Sequence, residues 1–123
     1  MQIILISVLG MAGTLTRYGL QGWVQNQSGA TFPYGTLVVN IIGCLLIGIL
    51  NRMALEHLWF PPEWRIAVTI GFLGAFTTFS TFGYETVRLL EDGEWMRGLA
   101  YVGVSLFGGL IAVVAGMKLA ELI

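Results

Sequence analysis

Gly71-Phe72-Leu73-Gly74-Ala75-Phe76-Thr77-Thr78-Phe79-Ser80-Thr81-Phe82 is the stretch on which the fold turns. It lies inside residues 66–84, a segment without an acidic or basic side chain and long enough to cross the hydrocarbon of a bilayer. Its centre suits an uninterrupted helix poorly. Gly71 and Gly74 lower helix propensity, and the hydroxyls of Thr77, Thr78, Ser80 and Thr81 compete with the backbone for hydrogen bonds. A break at membrane depth survives only where the freed backbone groups meet protein, an ion or water, because lipid satisfies none of them. The stretch is therefore read as a broken membrane helix at a functional site, against the plainer reading that its small and hydroxyl residues pack between helices.

The rest of the composition agrees. Of 123 residues, 56% are hydrophobic and 11% charged, and the mean hydropathy is +0.81, values of a protein whose solvent is lipid. A net charge of -1 leaves no basic excess, which argues against nucleic acid as a partner and against a polybasic lipid anchor. The single Cys44 closes no disulfide within the chain, no His/Cys cluster has metal-ligand spacing, and the lone His57 sits in a polar connection. An enzyme is not expected, because no paired carboxylates, nucleophile–base set or phosphate loop is present. Residues 1–13 lack the basic start and small-residue cleavage site of a signal peptide, so they are read as a mature membrane segment.

Four spans are expected, at about residues 3–22, 34–53, 66–88 and 98–119, forming one all-α membrane domain over residues 1–123. Arg17, late in the first span, either snorkels to the headgroups or gives an aqueous vestibule a positive potential. Residues 25–30 read as a polar turn before Pro33 and Tyr34 open the second span. There Thr36, Asn40, Gly43 and Ile47 share one face. The Asn40 carboxamide must find partners in hydrocarbon, either a neighbouring helix or an anion. Trp23, Trp59, Trp64 and Trp95 read as interfacial aromatics. Phe79 and Phe82 share a face, and the edges of their rings carry partial positive charge. Glu85 reads as a surface ion pair with Arg88. Tyr101 and Ser105 extend a stripe of small residues, Gly109, Ala112 and Gly116, along the fourth span.

With four spans, both termini share one side. Arg52, Arg65 and Lys118 then fall on that side, and Arg17, Arg88 and Arg97 on the other. So even a distribution gives the positive-inside rule nothing to act on, and insertion in both orientations is expected. A chain that inserts both ways can pair with an inverted copy of itself, so an antiparallel, dual-topology homodimer is expected.

The third-span motif, Asn40 behind Gly35-Thr36, and Arg17 late in the first span together resemble the bacterial fluoride channel family (Fluc, also called CrcB), over essentially the whole length. The resemblance implies an inverted homodimer in the bacterial inner membrane. Its two pores would pass fluoride outward down the electrochemical gradient and lower cytoplasmic fluoride. It implies an anion pathway through Asn40, Phe79, Ser80, Thr81, Phe82, Glu85, Tyr101 and Ser105, with Thr36 and Arg17 beside it. It also implies a structural sodium ion at the dimer axis, held by the backbone carbonyls of Gly74 and Thr77. Gly109 departs from the pattern, since some relatives carry a further hydroxyl there. Weak binding at several donors suits transit of a small, strongly hydrated anion. The competing expectation is a small dual-topology, proton-coupled drug exporter, which needs a carboxylate in its first span. Residues 3–22 hold none. A non-transporting assembly subunit, with Asn40 and the hydroxyls as packing glue, is the third reading.

Overall fold

The computed structural model describes residues 1–57 and 60–123; the aromatic expected at position 59 lies outside the described residues. Among the described residues every regular element is helical: α1 (Gln2–Ser28), α2 (Tyr34–Glu56), α3 (Pro62–Ile66), a π-helical stretch (Ala67–Leu73), α4 (Gly74–Phe76), α5 (Phe79–Glu91) and α6 (Trp95–Glu121). Four membrane-length units result, because the pieces from Pro62 to Glu91 form one bent span of 30 residues. At 1.5 Å per residue each is long enough to cross roughly 30 Å of hydrocarbon.

Glycines set how closely the spans approach. A Cβ on Gly48 would lie 2.3 Å from the Val113 carbonyl oxygen, and one on Gly116 would lie 2.2 Å from that of Leu45. The stripe on α6 is thus the seam with α2. On α1 a Cβ at Gly13 would meet the Phe72 carbonyl at 2.2 Å, and one at Gly71 would meet Ile6 at 2.7 Å. Gly71 therefore serves helix packing. It does not break the span, and Gly74 is also helical, with φ -61° and ψ -35°. The interruption lies further on, at Thr77 and Thr78.

The first span is also longer than expected. Residues 25–28 continue the helix, and Gly29 ends it in the left-handed region at φ 59°. Gln25 makes this possible by tying down the connection: its Nε2 donates to the Ala30 and Phe32 carbonyls and its Oε1 accepts from Gly35 N. That last bond satisfies a donor which the start of α2 would otherwise leave orphaned.

The interior is thin. Val39, Leu73 and Phe76 form its centre, whereas Ile3, Val8, Leu15, Ile70, Leu106, Phe107 and Ile111 all face outward. Outward apolar side chains along the first, third and fourth spans are what a lipid solvent, or a second protein surface, would cover.

Candidate functional site

Thr77 (φ -92°, ψ 158°) and Thr78 (φ -150°, ψ 118°) are extended, near the middle of the bent span. Thr78 caps the helix that follows: its Oγ1 accepts from Thr81 N at 3.2 Å and donates to Thr81 Oγ1 at 3.0 Å. Asn40, reaching across from α2, binds both backbone groups of the same residue. Its Nδ2 donates to Thr78 O at 3.0 Å, and its Oδ1 accepts from Thr78 N at 2.9 Å. One carboxamide thus replaces the helical bond that Thr78 N has lost and adds a donor to the Thr78 carbonyl, which, at the N-cap, also accepts the first bond of α5. Gly43, one turn along α2, clears the space for Thr77, whose Cγ2 would stand 2.1 Å from any Cβ there.

These partnerships strip two carbonyls of their usual donors. In an unbroken helix Thr78 N would serve Gly74 O, and Thr81 N would serve Thr77 O. Here the first goes to Asn40 and the second to Thr78 Oγ1. The break therefore frees the oxygens of Gly74 and Thr77, the two that the resemblance singles out.

On one side of the break a vestibule of about 820 Å³ is lined by Arg17, Gln21, Thr36, Thr81, Glu85 and Arg88, among others. At its floor four side chains, one from each span, form a chain of hydrogen bonds. Gln21 Nε2 donates to Thr36 Oγ1 at 3.1 Å, and Thr36 donates to Glu85 Oε1 at 2.6 Å. Tyr101 donates to Glu85 Oε2 at 3.3 Å. Glu85 consequently does not pair with Arg88, which lies 3.6 Å from Glu91 instead. The difference is geometric: Glu85 faces α2 and α6, while Arg88 and Glu91 face outward. Arg17 is half-buried on the vestibule wall and forms no ion pair among the described residues.

A second cavity of about 520 Å³ opens beyond, lined by Asn40, Cys44, Gly74, Thr77, Thr78, Phe79, Phe82, Ser105 and Gly109, with leucines and valines around them. Tyr101 lines neither space but packs between residues of each. Its hydroxyl is on Glu85, and its fully buried ring meets Phe82 edge to face at 5.0 Å. Phe82 in turn lies 5.7 Å from Phe79, which is 83% exposed. Ser105 Oγ is buried without a hydrogen-bond partner. A buried hydroxyl normally has a partner, so this one is available to whatever enters the cavity. At the position of the departure, a Cβ on Gly109 would stand 3.3 Å from Cys44 Sγ, so the thiol fills the space a further hydroxyl would take.

The structure thus brings Thr36, Thr81, Glu85 and Arg17 to the vestibule, and Asn40, Phe79, Phe82 and Ser105 to the second cavity. Ser80 and Tyr101 line neither: Ser80 Oγ lies 3.4 Å from Thr78 Oγ1, and Tyr101 is buried between Glu85 and Phe82. Gln21 and Gln25 escaped the sequence reading. Their signal was spacing, because Thr14, Arg17, Gln21 and Gln25 fall three and four residues apart and so form one polar stripe on an apolar helix. All four line the vestibule.

A bundle of four membrane-length spans, with one interrupted at its middle beside a polar chain contributed by all four, defines a multi-pass membrane protein of the ion-handling kind, in which half-helix ends and loose carbonyls face a polar path. The family model described as CrcB-like protein, Camphor Resistance (CrcB), matches residues 4–117, and the chain belongs to that family. A protein of Citrifermentans bemidjiense named "Fluoride-specific ion channel FluC" is 46% identical over 120 residues, covering 98% of this chain and 97% of its own. Proteins of the same name from Geobacter metallireducens and Pseudomonas fluorescens are each 47% identical, over 97% and 98% of this chain and 96% and 97% of theirs.

Proposed function

We propose that this protein is a fluoride-selective channel of the inner membrane that lets fluoride leave the cell passively and so lowers its cytoplasmic concentration. The observation that carries the reading is a vestibule lined by Arg17, Thr36 and Glu85, linked through the buried Tyr101, which bonds Glu85 and packs on Phe82, to a cavity of ring edges, a carboxamide and an unpartnered hydroxyl beside the broken span. The route offers donors in series without a ring of fixed cations, so an anion can exchange its water shell stepwise and still depart. The names of the near full-length relatives support the same ion. The test is efflux from proteoliposomes followed by electrode: fluoride without chloride is expected, and release of neither, or proton-coupled cation uptake, would overturn the reading.

The working unit is an inverted homodimer with two pores. Supporting this are the three-against-three division of basic residues and the exposed Gly74 and Phe79, which leave the second cavity open on a face that one chain does not cover. A C-terminal tag accessible from only one side of sealed vesicles would exclude it. On the dimer axis the Gly74 and Thr77 carbonyls, freed by the break and unobstructed by any Cβ at Gly74, suit a sodium ion. Two oxygens from each copy would supply four hard donors. When bound, the ion would neutralise the negative helix ends and hold the copies together.

Phe79 and Phe82 would present ring edges to the anion. Replacing either by isoleucine keeps the apolar bulk and removes the quadrupole. Fluoride efflux should slow by about tenfold or more, the factor equivalent to an aromatic contact of roughly 1.4 kcal/mol. The dimer, measured by cross-linking, should be retained.

A further inference from the structure

Thr36 departs from the commonest pattern among the hydroxyls of this chain. Ser7, Thr16, Thr69, Thr77 and Thr86 each donate to the carbonyl four residues back. For Thr36 that carbonyl is Phe32 O, which already accepts from Tyr34 N at 2.8 Å and from Gln25 Nε2 at 3.0 Å. Both of its lone pairs are taken. The hydroxyl is instead approached by Gln21 Nε2 at 3.1 Å and lies 2.6 Å from Glu85 Oε1.

The direction of these bonds follows from proton count. Thr36 has one proton to give, and an ionised Glu85 only accepts. Were the Gln21 amide turned over, its oxygen and the carboxylate would both demand that proton. The amino group must therefore face Thr36, which leaves the hydroxyl only the carboxylate to donate to.

We propose that Gln21 is a positioning residue: by donating to Thr36 it aims the Thr36 hydroxyl at Glu85 and keeps that carboxylate held between α2 and α6, at the vestibule wall. The consequence for transport rests on the fluoride reading above. Without the Gln21 donor, Thr36 is free to turn, Glu85 loses its shortest bond, and its charge swings toward the route past Arg17, where it repels the incoming ion.

The test pairs flux with a spectroscopic signature. Gln21→Met keeps the chain length and removes the donor. In purified protein, infrared difference spectra against wild type should show a shift of the Glu85 carboxylate stretch, the band being assigned by its loss in Glu85→Gln. Fluoride efflux should fall about tenfold, as expected for a weakened hydrogen bond to a charged group. Gln21→His, which retains an N–H donor, should restore both band and flux towards wild type. An unmoved band in folded Gln21→Met protein, or full flux despite a moved band, would overturn the proposal. Should wild-type protein release no fluoride at all, the fluoride reading fails, while the infrared band still decides whether Gln21 orients Glu85 through Thr36.

Discussion

Asn40→Leu is expected to lower fluoride efflux by at least a hundredfold and to lower the melting temperature of the purified protein. The substitution leaves size almost unchanged but removes both bonds to Thr78, at 3.0 and 2.9 Å. Thr78 N is then left without a partner in a buried residue, and Thr78 O keeps only the helical donor that its N-cap position supplies. The orphaned N–H costs about 1–3 kcal/mol, a range that reaches the roughly 2.7 kcal/mol a hundredfold represents. The break relaxes either by re-forming helix through Thr77, which retracts the Gly74 and Thr77 carbonyls, or by drawing water to Thr78. Both end the present arrangement of the second cavity. Asn40→Asp separates the two parts of the effect: a carboxylate still accepts from Thr78 N but offers no donor to Thr78 O and adds negative charge beside the route. Thermal stability should therefore recover in part while fluoride efflux stays low. Wild-type efflux from Asn40→Leu, in protein of normal dispersity, would remove the carboxamide from the mechanism.

Gly116→Ala is expected to have the largest effect on folding. A Cβ there would lie 2.2 Å from Leu45 O and 3.0 Å from Ile49 N, both backbone atoms, so no rotamer change relieves the contact. The α2–α6 seam must separate. Overpacking of this kind costs about 3 kcal/mol, enough to lower the folded-to-unfolded ratio more than a hundredfold in a marginally stable chain. Gly103→Ala, on the same helix but with nothing within 4 Å of its Cβ, is the control and should melt like wild type. Equal thermal stability of the two variants in detergent would show that the seam tolerates a methyl group.

How legible this was varies with the residue. The four spans and the interruption near Thr77 could be read locally, since they follow from apolar run length and from hydroxyls crowded into one segment. The glycines misled, because low helix propensity looks the same whether a glycine breaks a helix or lets another helix approach. Gly71 does the second. Glu85 misled for a similar reason: three residues from Arg88 it looks like half of a surface pair, yet the helix rotation turns it to Thr36, which is 49 positions away in sequence. Gln21 carried a visible signal in the stripe with Arg17 and Gln25, but the stripe acquires meaning only once Thr36 stands opposite.

The sequence by itself determined that lipid is the solvent, how many times the chain crosses it, and that the third crossing is poorly suited to a plain helix. Those are properties of composition and of short runs, and no distant residue alters them. Tertiary structure alone decided where the third span opens, which side chain closes the gap, and which carbonyls are left over. The physical reason is the hydrogen-bond requirement of buried backbone: the Thr78 N–H must be paired in a medium without water, and the group that pairs it is Asn40, 38 residues earlier and on another helix.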